Sequence, residues 1–177
     1  WFHKVQLLDE KWYELANYAK NSGIEPLATP WDAEMAEIIF RGGLDTVKIA
    51  SFHITDLTLL TYVNEKARRV FMSTGMASIG EIDKAVEALE NVDDLFLLHC
   101  VSEYPLPYEN VNLSVMDTLR ERYGQRARIG YSDHTLSIHA AVAAVARGAE
   151  VIEEHITLDK NMEGTDHIFS ADPEDLP

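Results

Sequence analysis

This 177-residue chain has only one cysteine, few cationic side chains and no long apolar run. The single cysteine, Cys100, cannot form an internal disulfide bond, which suits a reducing compartment. No apolar stretch approaches the roughly 20 residues that a membrane-spanning helix needs. The first residues also lack the apolar segment of a signal peptide. We therefore expect a cytoplasmic protein without a membrane partner.

The shortage of positive charge restricts the partners further. The chain has 15 Lys and Arg against 30 Asp and Glu, for a net charge of −15. Such a surface repels phosphate-rich partners, so the sequence argues against binding to nucleic acid or to an anionic membrane. A small anionic ligand would need a local cluster of cationic or amide donors inside the fold.

Neither a Walker motif nor a Gly-x-Gly-x-x-Gly turn is present, and no low-complexity linker divides the chain. Strand-like and helix-like patterns alternate instead. The predicted strands are residues 25–30, 46–51, 70–75, 95–100, 127–133 and 151–158, and the predicted helices are residues 33–42, 55–68, 79–91, 112–123 and 136–148. Two helix starts carry capping residues, namely Asp32, and Ser78 with Glu81 three residues later.

Six strands that alternate with helices fit either a doubly wound open sheet or part of a (β/α)₈ TIM barrel. Polar residues follow nearly every predicted strand, and only a barrel gathers all its strand ends around one pocket. The pattern therefore favours the barrel. Because a complete barrel needs about 250 residues, the chain is expected to be short of two strands at its start and one helix at its end.

Two histidines stand near the ends of the last two predicted strands. Alternation along a strand places His134 on the same side as Ser132, and His155 on the same side as Glu153. Neighbouring parallel strands would bring both imidazoles to one rim, where they can hold a divalent cation. The alternative is that each histidine is an ordinary core or surface residue with a hydrogen-bond partner.

A lysine and several hydroxyl groups occupy the other predicted strand ends. Lys48 lies in an apolar strand, where an ammonium group is unfavourable unless it meets an anion. Together with Thr29, Ser51, Ser73 and Ser132, this lysine predicts a cradle for a phosphate or carboxylate group. The alternatives are a salt bridge from the lysine to a neighbouring acid, and helix-capping or turn roles for the hydroxyls.

Loops add further candidates. Tyr104 lies in a proline-rich loop and can present its ring or hydroxyl group to the pocket, or simply pack within the loop. Asp166 and His167 lie in the polar loop after the last predicted strand, where they can bind a polyhydroxylated ligand or form a solvated turn. Cys100 is expected to be a small buried residue rather than a nucleophile.

Several blocks together resemble the N-acetylneuraminate (sialic acid) synthase family in order and spacing. The blocks are Lys48-Ile-Ala-Ser51, Ser73-Thr-Gly-Met76, Leu97-Leu-His-Cys100, Tyr104-Pro-Leu-Pro107, Gly130-Tyr-Ser-Asp-His-Thr135, Glu153-Glu-His-Ile-Thr-Leu-Asp159 and Gly164-Thr-Asp-His167. The resemblance implies a (β/α)₈ barrel that condenses phosphoenolpyruvate with an N-acetylmannosamine-type sugar. The implied products are a nine-carbon 2-keto acid and phosphate.

The resemblance also implies a role for each matched residue. His134 and His155 would bind a divalent metal, expected to be Mn²⁺ with Mg²⁺ or Co²⁺ as alternatives. Glu153 would face the sugar and act as a proton-transfer group. The remaining residues divide between phosphoenolpyruvate, held by Lys48, Thr29, Ser51, Ser73 and Ser132, and the amino sugar, faced by Tyr104 and Asp166.

The chain departs from the family pattern in several ways. Residues 1–177 are expected to form one partial TIM-barrel catalytic domain, with residues 1–22 as the helix after a second strand that is not in the chain. The family's first two strands, its last barrel helix and its C-terminal antifreeze-like domain have no counterpart in these residues. Glu154 replaces a usual lysine, and Ser102 replaces an asparagine of some members. The family also implies a homodimer.

Two other functions remain open on the sequence alone. One is a metal-dependent hydrolase on a TIM barrel, although no His-x-His pair is present. The other is a non-catalytic barrel fragment that binds sugars or anions. Within the family reading, the acceptor sugar is also open among N-acetylmannosamine, its 6-phosphate and a 2,4-diacetamido-trideoxy sugar.

Overall fold

The computed structural model describes Leu7 and residues 9–176. Helices and strands alternate along the chain after two initial helices. The helices are α1 Asp9–Asn21, α2 Ala33–Arg41, α3 Leu57–Asn64, α4 Ile79–Ala88, α5 Val115–Tyr123 and α6 His139–Ala146; the strands are β1 Thr46–Ile49, β2 Arg69–Ser73, β3 Asp94–Cys100, β4 Arg128–Ser132 and β5 Ile152–Glu153. Short 3₁₀ turns cover Ser51–His53, Tyr108–Asn110 and His167–Phe169. The predicted helix in residues 1–22 is confirmed as α1, and its first six residues and residue 8 lie outside the described residues.

All five strands are parallel and lie in sequence order, β1-β2-β3-β4-β5. This order follows from the repeated strand-helix-strand units, since each helix carries the chain back so that the next strand pairs beside the last. The predicted α/β class is therefore confirmed. Among the described residues, none of the helices combines the length and apolar character that a bilayer-spanning helix requires.

The sheet is curled rather than flat. β1 and β5 lie four strand positions apart, which would be about 19 Å in a flat sheet with the usual spacing of ~4.8 Å. Yet the Nζ atom of Lys48 on β1 lies 3.3 Å from Oε1 of Glu153 on β5. The first and last strands therefore face each other across the concave side, as in a half-barrel.

The prediction of six strands is wrong, because residues 25–30 form no strand. Pro26 and Pro30 have no backbone N–H group to donate to a ladder. The segment keeps a single bridge between Ala28 and Val47, in which the backbone N–H of Lys48 donates to the carbonyl of Ala28 at 3.0 Å. Five strands and one bridged segment therefore replace the six predicted strands.

The last strand is also shorter than the predicted residues 151–158. After β5 the chain pairs with a later loop segment instead of β4. The backbone N–H of Ala171 donates to the carbonyl of His155 at 2.7 Å, and the N–H of Thr157 donates to the carbonyl of Ala171 at 2.9 Å. This pairing fixes the loop 159–170 against the end of β5, beside the concave side.

Strand alternation separates the core from the concave face. Val47 and Ile49 on β1, and Val70 and Met72 on β2, are fully buried in the cluster that packs against the helices. Lys48 lies between two of them in sequence and points to the opposite side. Packing of the apolar face therefore fixes which polar side chains reach the concave face.

Both predicted helix caps are confirmed. The carboxylate of Asp32 accepts a hydrogen bond from the backbone N–H of Met35 at 2.7 Å, at the start of α2. Ser78 and Glu81 form a reciprocal capping box at the start of α4. Each cap stabilises its helix by about 1 kcal/mol, and together they fix where these helices begin after the strand-end loops.

Gly130 on β4 provides a test of this packing. A Cβ atom there would lie 2.6 Å from the carbonyl oxygen of Val151 and 2.7 Å from Cδ2 of Leu98. Because backbone cannot move aside cheaply, Gly130→Ala should destabilise the protein by about 1–3 kcal/mol. Urea unfolding measures this change.

A matched control is available in Gly80 of α4, where a Cβ atom would meet nothing within 4 Å. Gly80→Ala should leave stability unchanged or raise it by up to about 1 kcal/mol, since alanine reduces the entropy of the unfolded chain. Equal stability of the two variants would contradict the close approach of β4 and the segment before β5.

Candidate functional site

A cavity of about 390 Å³ opens at the carboxyl ends of the strands, on the concave side of the sheet. Nine of the candidate residues predicted from the sequence line it. These residues are Thr29, Lys48, Ser51, Ser73, Tyr104, Ser132, His134, Glu153 and His155. Two candidates do not line it. The carboxylate of Asp166 lies 3.7 Å from Nδ1 of His155, and Nδ1 of His167 lies 2.7 Å from the hydroxyl of Thr157, beside a different cavity. The fold therefore collects side chains from every strand end into one place.

Glu153 joins the two sides of the cavity. Its Oε1 atom lies 3.3 Å from Nζ of Lys48, and its Oε2 atom accepts a hydrogen bond from the hydroxyl of Ser73 at 3.3 Å. Lys48 is 7% exposed and also donates to the carbonyl of Ile49 at 3.2 Å. The acid partner that the sequence left open for this lysine is thus another predicted site residue.

The hydroxyl of Ser51 lies beside a glycine that allows three strand-end loops to meet. Ser51 Oγ accepts a hydrogen bond from the backbone N–H of Gly75 at 3.1 Å and lies 3.7 Å from Sγ of Cys100. A Cβ atom at Gly75 would lie 2.7 Å from the hydroxyl of Ser102 and 2.9 Å from that of Ser51. Glycine at this position therefore lets the loops after β1, β2 and β3 present their hydroxyl groups to the same space.

Cys100 is buried, as the sequence predicts. The residue is buried at the end of β3 and lines the cavity. Burial raises the pKa of its thiol, which disfavours the reactive thiolate. The structure therefore supports a packing role for this side chain, and the predicted choice against a nucleophile agrees with its environment.

The rings of the two histidines lie edge to face at the same cavity, with their centroids 5.5 Å apart. His134 is buried, and its Nδ1 atom lies 3.0 Å from the carbonyl oxygen of Val101. A carbonyl only accepts, so Nδ1 carries the hydrogen and the lone pair of Nε2 remains free. Burial lowers the pKa of His134 below its usual value, so the ring is neutral at neutral pH.

Two aromatic rings form a wall beside the histidines. The ring of Tyr104 lies 4.0 Å from that of His134, and the ring of Phe169 lies 5.0 Å from that of His155. Burial, reinforced by the negative charges of Glu153 and of its other neighbours, raises the pKa of Tyr104 to about 12. The phenol therefore stays protonated and can donate a hydrogen bond into the cavity.

Some lining residues were not predicted. Phe52 and Met76 border the cavity, and Phe169 supports the histidine wall while being only 2% exposed. The first two directly follow predicted strand ends, which is the signal that would have found them. Phe169 was the harder case, because a single apolar residue in a polar loop does not reveal which strand it packs against.

The predicted alternation along β5 is confirmed. Glu153 and His155 line the main cavity, and Ile152 and Glu154 do not. Ile152 and Glu154 border a second cavity of about 250 Å³, which Glu153 also reaches. Burial, together with the nearby Asp133, raises the pKa of Glu154 to about 8. One carboxylate oxygen of Glu154 and one of Asp133 are buried without a hydrogen-bond partner among the described residues. Glu154 therefore lies outside the lining of the main cavity.

The donor set at the histidines is small. Within residues 9–176, no group of three or more His, Cys, Asp or Glu side chains is arranged to hold a metal ion. Two imidazoles can still hold one borderline divalent ion if substrate or water oxygens complete its coordination shell. The geometry thus fits a two-histidine site and does not fit a closed structural metal site.

The sequence of this chain is similar to those of several known proteins. The sequence model described as the NeuB family matches residues 1–177. An uncharacterized protein of Methanocaldococcus jannaschii is 48% identical over 177 residues, which cover 99% of this chain and 52% of that protein. The N,N'-diacetyllegionaminic acid synthase of Campylobacter jejuni is 43% identical over 167 residues, which cover 92% of this chain and 49% of the enzyme. The chain spans about half the length of these curated relatives.

A solved structure has the same fold. The crystal structure of the N-acetylneuraminic acid (sialic acid) synthetase of Leptospira borgpetersenii, in complex with citrate, matches with a TM-score of 0.91 at 36% identity. The match covers 97% of this chain and 60% of that one. The half-barrel fold is therefore shared with a synthetase of this kind. Because the family model covers the whole chain and close relatives agree, this chain belongs to the NeuB family.

Proposed function

We propose that this site condenses phosphoenolpyruvate with an N-acetylmannosamine-type amino sugar, giving a nine-carbon 2-keto acid and phosphate. One observation carries the proposal: a single cavity contains a lysine-and-hydroxyl cradle, a pair of neighbouring imidazoles and Glu153. Membership of the NeuB family supports it, since relatives are named as synthases of legionaminic and sialic acids.

The anionic end of phosphoenolpyruvate fits the cradle around Lys48. The ammonium group is buried and has one carboxylate partner, Glu153, which an incoming phosphate or carboxylate can replace. The hydroxyls of Ser51 and Ser73 lie beside it and can donate to the same anion. Hydroxyl groups can bind an anion without carrying a positive charge themselves. They can therefore hold phosphoenolpyruvate in a chain that has few cationic side chains.

The sugar end fits the histidine side of the cavity. The protonated phenol of Tyr104 can donate to a carbonyl or hydroxyl oxygen, and Asp166 can accept from a sugar hydroxyl. His134 and His155 would hold a divalent metal ion through their free ring nitrogens. When bound, such an ion supplies Lewis-acid polarisation of the sugar aldehyde.

The reaction needs these two ends at a fixed distance. A bond forms between C3 of phosphoenolpyruvate and the aldehyde carbon, and water then adds at C2. The resulting tetrahedral intermediate becomes the ketone when its C2–O bond to phosphate breaks. The two protons of the water end on the new hydroxyl group and on the released phosphate. The carboxylate of Glu153 shares the cavity with the cradle and the imidazoles. Once the substrate has displaced it from Lys48, it can accept a proton from the water that adds at C2 and deliver it to the departing phosphate.

Phosphate release by the complete protein tests this function. Phosphate should appear only when phosphoenolpyruvate, an amino sugar and a divalent metal are all present, and a chelator should stop it. Phosphate release from phosphoenolpyruvate without a sugar would instead indicate a hydrolase. Binding of both substrates without any turnover, in the presence of Mn²⁺, would indicate a non-catalytic binding protein and would contradict the proposal.

A further inference from the structure

We infer that Asp133 is a positioning residue, which holds the imidazole of His134 at the cavity through a hydrogen-bonded turn at the end of β4. This inference rests on the proposed function, because it takes His134 as a metal ligand. Asp133 does not line the cavity, and the proposed reaction gives it no step. It is nevertheless only 1% exposed. A buried carboxyl group is unfavourable unless it is hydrogen-bonded, so its partners indicate its role.

Asp133 joins the two strand ends that carry His134 and Glu153. β4 pairs with β5 so that Ser132 lies opposite Glu153. The backbone N–H of Asp133 donates to the carbonyl of Glu153 at 3.0 Å, which continues the pairing one residue beyond β4. Alternation then places the side chain of Asp133 on the face opposite that of Ser132 and His134. The carboxyl group therefore lies behind the cavity wall rather than in the cavity.

One oxygen of this carboxyl group makes two hydrogen bonds. Oδ1 accepts from the backbone N–H of Thr135 at 2.9 Å and from the hydroxyl of Tyr131 at 3.1 Å. The first bond closes a turn of the Asx type around His134, since it reaches the N–H two residues further along the chain. The second bond ties that turn to Tyr131, which is fully buried in β4. Both neighbours of His134 in the chain are thus fixed.

The path of the backbone decides where the ring of His134 points. The carbonyl of His134 accepts from the backbone N–H of Leu106 at 2.7 Å, and its Nδ1 atom lies 3.0 Å from the carbonyl oxygen of Val101. Both partners belong to the segment after β3, so the ring meets them only if the chain after β4 turns as it does. Since Nδ1 is engaged, the direction of the free Nε2 atom depends on this turn.

The turn needs an acceptor oxygen rather than a negative charge. Oδ2 of Asp133 is buried and has no hydrogen-bond partner among the described residues. Asparagine offers an oxygen in the place of Oδ1 and forms the same type of turn. A positioning role therefore survives Asp133→Asn, whereas an electrostatic effect of the carboxylate on the histidine would be lost with the charge.

The test measures the Kd for Mn²⁺ by calorimetric titration of the complete protein without substrates. Asp133→Ala removes both hydrogen bonds, so the Kd should rise at least about tenfold, as expected when a group that orients a histidine ligand is lost. Asp133→Asn should stay within about twofold of the unmodified protein, because its oxygen accepts the same bonds. In turnover, Asp133→Ala should lower kcat and leave the KM for phosphoenolpyruvate nearly unchanged.

Asp56→Ala is the matched control for a loss of stability alone. Oδ1 of Asp56 accepts from the backbone N–H of Leu59 at 3.0 Å at the start of α3, and Asp56 does not line the cavity. Both alanine variants should unfold at lower urea concentration, but only Asp133→Ala should bind Mn²⁺ more weakly.

A milder variant keeps the test decisive if Asp133→Ala does not fold. The side chain in Asp133→Ser is one bond shorter, so its hydroxyl accepts more weakly from Thr135 and does not reach Tyr131. The affinity for Mn²⁺ should still fall below that of Asp133→Asn.

The outcomes separate this inference from the function on which it rests. Normal Mn²⁺ affinity in folded Asp133→Ala or Asp133→Ser, or a loss in Asp133→Asn as large as in Asp133→Ala, would overturn the inference while the condensation stands. If His134→Ala binds Mn²⁺ as well as the unmodified protein does, the proposed metal site fails and the inference fails with it.

Discussion

Replacing His134 or His155 with alanine is expected to abolish condensation in the complete protein, with kcat lower by at least about 10³-fold. Each ring supplies one of only two protein nitrogens available to a metal ion on this side of the cavity, among the residues that the structure describes. Loss of one donor would leave too few ligands to retain the proposed ion, whose polarisation of the aldehyde would contribute several kcal/mol. Metal content by elemental analysis and phosphate release measure the two effects together.

His139→Ala is the matched control, because His139 is exposed at the start of α6 and its ring bonds to Ser137 beside it. It should keep both metal and activity. The folds of all three variants should remain intact, since the ring of His134 makes one hydrogen bond to the backbone, worth about 1 kcal/mol. Normal metal content and turnover in both cavity variants would refute the metal site.

Lys48→Met is expected to weaken the binding of phosphoenolpyruvate far more than the binding of the sugar. The ammonium group is buried, and removing one partner of a desolvated charge pair lowers affinity by about 2–5 kcal/mol. The KM for phosphoenolpyruvate should therefore rise by between about 30-fold and several thousand-fold, while the KM for the sugar changes little. Steady-state kinetics with each substrate varied in turn measure both constants.

Lys66→Met provides the comparison at an exposed ion pair. Lys66 binds Glu37 at 2.8 Å on the helical side of the fold, and exposed pairs contribute at most about 1 kcal/mol. Its kinetics should match those of the unmodified protein. If Lys48→Met binds phosphoenolpyruvate normally, the lysine serves only to neutralise Glu153, and the cradle lies elsewhere.

Local rules predicted the placement of the site residues correctly in this protein. Period-two alternation alone placed Ser132, His134, Glu153 and His155 on one side, and all four line the cavity. The rule works here because the opposite side of each strand must bury apolar groups against helices, which leaves no choice of face. The roles assigned to these residues remain predictions, since shared placement does not establish chemistry.

The long-range contacts of the site could not be predicted from local sequence patterns. The approach of Lys48 to Glu153 depends on the curl of the sheet, which arises from twist accumulated over five strands and leaves no local pattern. The failed strand at residues 25–30 has a local cause, because Pro26 and Pro30 limit its ladder. The position of Phe169 depends on the pairing of Ala171 with His155, which no rule of strand spacing predicts.

The central claim is that one cavity holds phosphoenolpyruvate at Lys48 and a metal ion at the two histidines. Anomalous scattering from crystals of the complete protein with Mn²⁺ and phosphoenolpyruvate tests it most directly. The account predicts one manganese peak bounded by the rings of His134 and His155, with an anionic group of phosphoenolpyruvate within hydrogen-bond distance of Nζ of Lys48. A manganese peak remote from these rings, or phosphoenolpyruvate bound without contact to Lys48, would contradict it.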